Sequence, residues 1–246
     1  MKKIFILLLL FILPIPGVFA HPHIYIDLII EIDIDEQGIT GFWENWTIVR
    51  EFGENIIIDY DKDNNGIFDE KETKTVRAEL FDNIINYHYY TYLDIADTVY
   101  IPSEIKNFSV HKVAENTVFR FFIPCRIFSG EAGRTFKLSI IDWTKYVSFG
   151  LRYIDDPSTR SVRYNVSIDH YDDYYSHSSI FGNSNIVITM NQTEQSGKNA
   201  LPTAASRSRM IKLTPENAAP TETITNPFIS AGVKIKDDNP NPFVTY

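Results

Sequence analysis

Residues 24–34 read IYIDLIIEIDI, and this stretch restricts the fold more tightly than its composition does. Ile24, Ile26, Leu28, Ile30, Ile32 and Ile34 fall on one side of an extended chain, while Asp27, Glu31 and Asp33 fall on the other. A repeat of two residues is that of a strand with one face in a core and one in water. Asp35-Glu36-Gln37-Gly38 supplies a turn, and ITGFWENWTIV after it reads as the returning strand. Further short runs rich in Tyr, Phe, Ile and Val follow at DTVYIPSEI, FSVHKVAENTVFRFFIP, RTFKLSIIDW and YVSFGLRYI. Their composition predicts mainly antiparallel sheet, sandwich-like.

One segment interrupts that pattern. From Glu70 to about Tyr90, Val76, Leu80, Phe81, Ile84 and Ile85 recur at helical spacing, and a shorter helix is expected from about Arg50 to Asp59. The expected class is therefore α+β, mainly antiparallel β, with an inserted helix–EF-hand loop–helix segment. From residue 190 onward Asn, Thr, Ser, Ala and Pro dominate, so residues 190–246 read as a polar tail or linker. Residues 21–189 are then one β-rich, metal-binding domain.

The first twenty residues have the pattern of a secretory signal peptide. Lys2 and Lys3 precede an apolar run at residues 4–13, Pro14 and Pro16 break it, and Val18-Phe19-Ala20 fits a cleavage site after Ala20. The run is too short to span a bilayer, which needs about 20 residues. A periplasmic or secreted product is expected, without direct membrane insertion after cleavage. The chain has 23 basic and 32 acidic residues; loss of Lys2 and Lys3 leaves 21 against 32, or −11. That charge disfavours nucleic acid and anionic lipid as partners and suits cations. Cys125 is the single cysteine, so no intrachain disulfide can form, and its apolar setting marks it as a buried hydrophobe.

The sharpest local motif is DKDNNGIFDEKE at residues 61–72. It resembles an EF-hand loop at all twelve positions. Asp61, Asp63 and Asn65 would supply side-chain oxygens, Gly66 the sharp turn, and Ile67 its backbone carbonyl. Asp69 would bind directly or through water, and Glu72 would close the site with both carboxylate oxygens. Ca²⁺ requires six to eight hard oxygens, which this spacing offers. A single such loop points to structural calcium.

A second motif lies at the expected mature terminus, His21-Pro22-His23. Cleavage after Ala20 would gather an α-amine and two imidazoles, and residues i and i+2 of a strand share a face. These nitrogens suit Zn²⁺, Cu²⁺ or Ni²⁺ better than Ca²⁺. Pro22 has no amide hydrogen, which excludes square-planar binding through deprotonated amides. Further ligands would come from His88, His111, or the DHYDDYYSH stretch holding Asp169, His170, Asp172, Asp173 and His177; the sequence leaves that choice open.

With His-Pro-His, WENWTIVREFGENIIIDYDKDNNGIFDEKE, YHYYTYL and IIDWTKYVSFGL in this order, residues 21–185 resemble the domain of unknown function 1007 family. The chain departs from that pattern at Asp142-Trp143-Thr144-Lys145-Tyr146, where an Asp-Pro-x-Tyr-like motif would stand. The resemblance implies a non-enzymatic, exported component of a transition-metal transport system (zinc, nickel or cobalt), with a membrane transporter as partner. His21, His23 and residues 61–72 are the positions it carries over.

Two other functions compete with a transition-metal accessory protein. One is a calcium-dependent structural or interaction module in which the histidines are incidental. The other, weaker, is a copper-dependent oxidative enzyme using an amino-terminal histidine. No Ser/His/Asp or Cys/His arrangement with recognisable local context supports an enzyme, nor does a glycine-rich phosphate loop.

Overall fold

The computed structural model describes residues 24–128, 134–144, 146–155, 164–172, 184–192 and 210–214. Strand β1 (Ile24–Asp35) shows the expected alternation, with Ile24, Ile26, Leu28, Ile30 and Ile32 buried. It turns into β2 (Gly38–Ile48), with which it pairs antiparallel. Phe42, Glu44, Trp46 and Ile48 of β2 all face the core.

Helix α1 (Arg50–Tyr60) follows and buries Phe52, Ile56, Ile57 and Tyr60, spaced so that they share one helical face. It sits against the ends of β2 and of β6 (Asn116–Phe128) because Gly53 leaves room. A Cβ at Gly53 would lie 2.2 Å from the Ile48 carbonyl oxygen and 3.1 Å from the Thr117 amide nitrogen. The Thr117 hydroxyl donates to the Gly53 carbonyl at 2.8 Å, fixing the same crossing.

After the loop at residues 61–69, α2 (Glu70–Val76) begins the second helical segment. The segment keeps helical dihedrals only to residue 86, short of the Tyr90 that the periodicity predicts, and its winding changes twice. Residues Arg77–Phe81 are π-helical and Asp82–Tyr90 tighten to a 3-10 path. Val76, Leu80, Phe81 and Ile84 point inward, whereas Ile85 is 45% exposed. The altered winding turns Ile85 away from the face that an unbroken α-helix would have given it. The last residues leave helical geometry altogether: His88, Tyr89 and Tyr90 have φ of +58°, +50° and +57°.

The remaining strands are β3 (Thr91–Ile95), β4 (Thr98–Pro102), β5 (Lys106–Val113), β7 (Arg134–Ile140), β8 (Val147–Asp155), β9 (Tyr164–Asp172), β10 (Ser184–Gln192) and β11 (Met210–Lys212). They complete two sheets, ordered β5-β6-β2-β1-β8 and β11-β4-β3-β7-β10-β9. One core joins them: Phe42 of the first sheet lies 6.5 Å from Phe136 of the second, ring to ring. The molecule is thus β-rich, mostly antiparallel and sandwich-like, with few helices.

Two features depart from the sequence expectation. Strand β8 runs parallel to β1, because the chain crosses from the second sheet through Ile141 and enters the first at the end where β1 starts. Within the polar segment 190–246, residues 190–192 complete β10 and Met210–Lys212 pair with β4, with Met210 buried. Cys125 is buried, as its apolar setting predicts. Among the described residues no helix is long and apolar enough to cross a membrane.

Gly53→Ala should destabilise the protein by about 1–3 kcal/mol despite alanine's better helix propensity, because the clash is with backbone. Urea denaturation of the two proteins measures this difference.

Candidate functional site

The loop between α1 and α2 is built by its own acidic side chains. Asp61 accepts from the amides of Asn65 and Gly66, at 3.1 and 2.9 Å through its two oxygens. Asp63 accepts from the Asn65 amide at 3.1 Å, and Asn65 Oδ1 accepts from the Ile67 amide at 2.6 Å. Gly66, at φ +81°, takes a conformation that suits glycine. Asp69 and Glu72 form a reciprocal cap. The Glu72 amide donates to Asp69 Oδ1 at 2.8 Å, and Glu72 Oε2 accepts from the Asp69 amide at 3.0 Å. Glu72 Oε1 accepts from the Lys62 amide at 2.7 Å, so this carboxylate reaches both ends of the loop.

Asp61, Asp63 and Glu72 thereby each bring one carboxylate oxygen into a group whose members lie within 4.8 Å of one another. Asp61 and Glu72 are buried and Asp63 is exposed, so the cluster opens to solvent on one side. Phe68 is buried beneath the loop, while the Ile67 side chain is 69% exposed and leaves only its backbone as a donor group. The set is all oxygen, which fits a hard cation such as Ca²⁺. The supporting helices are tied together, since the Tyr60 hydroxyl donates to Glu79 Oε2 at 3.0 Å. Burial first, and then that carboxylate, push the Tyr60 phenol up to about 12.

The histidine candidates are distributed differently. His21, His23, Asp173 and His177 lie outside the described residues. His170, with Asp169 and Asp172, is on β9, where it pairs with Ile186 of β10, and its side chain is not described. His111 is exposed on β5, 3.0 Å from the Ser109 hydroxyl. His88 is buried in the turn that ends the second helical segment, with its ring edge-on to Tyr92 at 5.9 Å. Among the described residues no histidine joins a cluster like that of Asp61, Asp63 and Glu72.

The turn at residues 88–90 is nevertheless buried and held by its neighbours. Left-handed geometry costs an L residue roughly 1–2 kcal/mol, so three in succession persist only where tertiary contacts hold them. Tyr90 O accepts from the Ile141 amide at 2.8 Å, joining the turn to the Asp142 loop. Asp142 is buried and accepts from the amides of Thr144, Tyr146 and Val147 at 2.8, 3.0 and 2.8 Å. The Thr144 hydroxyl lies 2.7 and 2.8 Å from its two oxygens. Asp142 is therefore the organiser of this loop. Tyr146 O in turn accepts from the Ile24 amide at 3.2 Å, where β1 begins.

Tyr90 sits between the two sheets with its phenol pushed well above the ordinary range, by burial first and by Asp142 second. Tyr92 is pushed up to about 12 by burial, with Asp142 adding to it. Both stay neutral at any physiological pH. Trp143, 69% exposed, packs edge-on to Tyr92 at 6.0 Å.

One further polar group is deeper. Glu44 is fully buried, accepting from the Trp46 indole N–H at 2.8 Å and lying 2.9 Å from the Thr91 hydroxyl. Burial raises its carboxyl to about 7, against the lowering effect of those two hydrogen bonds. Glu44 is not among the sequence-predicted site residues, although its position between Phe42 and Trp46 at two-residue spacing signals that it faces the core.

The family model described as "Protein of unknown function (DUF1007)" matches residues 6–169, well over half of the chain. The chain belongs to this family. An "Uncharacterized protein" of Haemophilus influenzae is 30% identical over 139 residues, covering 54% of this chain and 63% of the relative. The "Uncharacterized 15.5 kDa protein in trpE 3'region" of Spirochaeta aurantia is 37% identical over 71 residues, covering 28% and 49%. The matches thus span about half to less than two-thirds of these relatives. The DUF1007 match includes residues 61–72, the turn at 88–90 and the Asp142 loop, and it ends within β9.

Asp142→Ala removes the acceptor for three backbone amides and should cost about 2–4 kcal/mol. Urea denaturation gives the loss, and faster amide exchange at Tyr146 and Val147 should accompany it.

Proposed function

We propose that this DUF1007 protein is an exported, divalent-metal-binding accessory of a zinc, nickel or cobalt transport system, with structural calcium at residues 61–72. The convergence of Asp61, Asp63 and Glu72 carries the calcium half of this reading. Asn65 and Asp69 and the Ile67 carbonyl would complete an oxygen set around Ca²⁺, which supplies charge neutralisation and a fixed angle between helices. A static role follows from α1 itself: Gly53 and Thr117 hold it against the sheet, leaving little freedom for the helix opening of a calcium sensor.

The transition-metal half is supported by the chain's route at the start of β1. His23 is one peptide bond from Ile24, so their Cα atoms are about 3.8 Å apart. Ile24 is hydrogen-bonded to the Asp142 loop, and that loop is hydrogen-bonded to the turn carrying His88. An α-amine at His21, the two terminal imidazoles and His88 are a nitrogen set suited to Zn²⁺, Ni²⁺ or Co²⁺. The protein would hold the ion for a membrane transporter, and no bond of the cargo is made or broken.

Isothermal titration of the exported protein, its terminus verified by mass, tests both halves separately. Zn²⁺ or Ni²⁺ should bind, and His21→Ala with His23→Ala should lose at least tenfold in affinity; unchanged affinity removes the transport reading. Calcium at 10 mM should stabilise the protein by about 1.4–2.7 kcal/mol if its Kd lies in the range of about 10⁻⁴–10⁻³ M known for extracellular modules. Glu72→Gln should abolish that gain. A calcium response without any transition-metal response would identify a calcium-dependent structural module instead.

A further inference from the structure

We propose that Glu44 is a proton-operated latch on the left-handed turn at residues 88–90. The device rests on a count of hydrogens. The Thr91 hydroxyl has one hydrogen and two oxygens within reach, Glu44 Oε1 at 2.9 Å and the Tyr89 carbonyl at 3.0 Å. When Glu44 is ionised, that single hydrogen is divided between two acceptors or given to one, so the two contacts are not both made at full strength. When Glu44 carries a proton on Oε1, it donates to Thr91, Thr91 donates to Tyr89 O, and both contacts are made. The Trp46 indole donates to Oε2 in either state, so it holds the carboxyl in place without choosing between them. A protonated Glu44 therefore completes a relay from the centre of β2 to the carbonyl of a residue held at φ +50°.

The surroundings favour the proton. Ile30 of β1 and Phe121 of β6 flank Glu44 on the neighbouring strands. Tyr89 and Tyr90 on the turn and Cys125 on β6 are the buried titratable groups of the same core, and burial keeps all three neutral. Asp142 acts on the turn through Tyr90. Among the described residues no cationic side chain is paired with Glu44, whose polar partners are Trp46 and Thr91. Its carboxyl, raised to about 7 by burial, changes charge close to neutral pH. The native state keeps a proton that the unfolded chain gives up above its ordinary value of 4.5. The associated stability is fully present below that value and is lost as pH rises through about 7.

The test uses the full exported chain, ¹⁵N-labelled, from pH 4.5 to 8.5, beside Glu44→Gln and Thr91→Val. In the wild type the Trp46 indole resonance and the amides of residues 88–90 should shift together with a midpoint near 7. Tm should fall by about 5–10 °C more than in Glu44→Gln, whose amide keeps a donor toward Thr91 at every pH. Thr91→Val should leave the indole transition in place and erase that of residues 88–90. Parallel Tm curves for wild type and Glu44→Gln would overturn the proposal. So would a moving indole resonance with a static turn, because Glu44 would then be a buried acid that holds nothing.

Discussion

The fold depends on giving the Trp46 indole N–H a partner inside an aromatic core. Trp46 is fully buried, and its ring lies 5.0 Å from Phe121, 5.2 Å from Phe149, 5.8 Å from Phe81 and 6.0 Å from Tyr90. Those four rings come from β6, β8, the π-helical stretch and the left-handed turn. An unpaired buried N–H costs about 1–3 kcal/mol, so the core needs an acceptor where water cannot reach. A strand places i and i+2 on one face, and β2 meets the need with Glu44. Burying that carboxyl is unfavourable unless it keeps its proton, and the proton ties the sheet interior to the turn beyond it.

The inserted helices attach to this core at two independent places. Gly53 and Thr117 fix α1 at the strand ends, while Phe81 stacks on Tyr89 at 5.6 Å and meets Trp46, Phe119 and Phe121. The acidic loop joins two bodies whose positions are already set elsewhere. A cation there would neutralise carboxylates crowded within 4.8 Å and would strengthen the joint without moving it. The Tyr60–Glu79 hydrogen bond braces the same joint from behind.

How much could be read from the sequence follows from how local each feature is. The β1 alternation and the β1–β2 turn lie within 25 residues, and the strand period alone assigns their faces. Residues 61–72 are equally local, since every proposed oxygen donor lies on twelve consecutive positions. The Asp69-x-x-Glu72 cap was also legible there as a helix-start signature. The left-handed residues 88–90 were not, because His-Tyr-Tyr contains no Gly or Asn and the conformation is imposed by Thr91, Ile141 and the core. The parallel β1–β8 pairing joins positions more than a hundred residues apart, and β11 is three residues in a polar stretch. Neither has a local pattern to find.

The same distinction explains why the two proposed metal sites differ in kind. An EF-hand-like loop carries its donors on one short segment, so local hydrogen bonds suffice to pre-shape it. The proposed nitrogen site has no such run of consecutive donors, and donors that are not already positioned give up freedom when an ion binds. Support has to come from what that site is attached to. Here Ile24 is held by Tyr146 O, Tyr146 and Val147 by the Asp142 carboxylate, Ile141 by Tyr90 O, and the turn by Thr91 and Glu44. This chain of contacts runs from the Trp46 core to the first described residue of β1 without leaving hydrogen-bonded atoms or covalent bonds. A nitrogen site next to Ile24, as proposed, would draw its rigidity from this chain of contacts rather than from hydrogen bonds of its own.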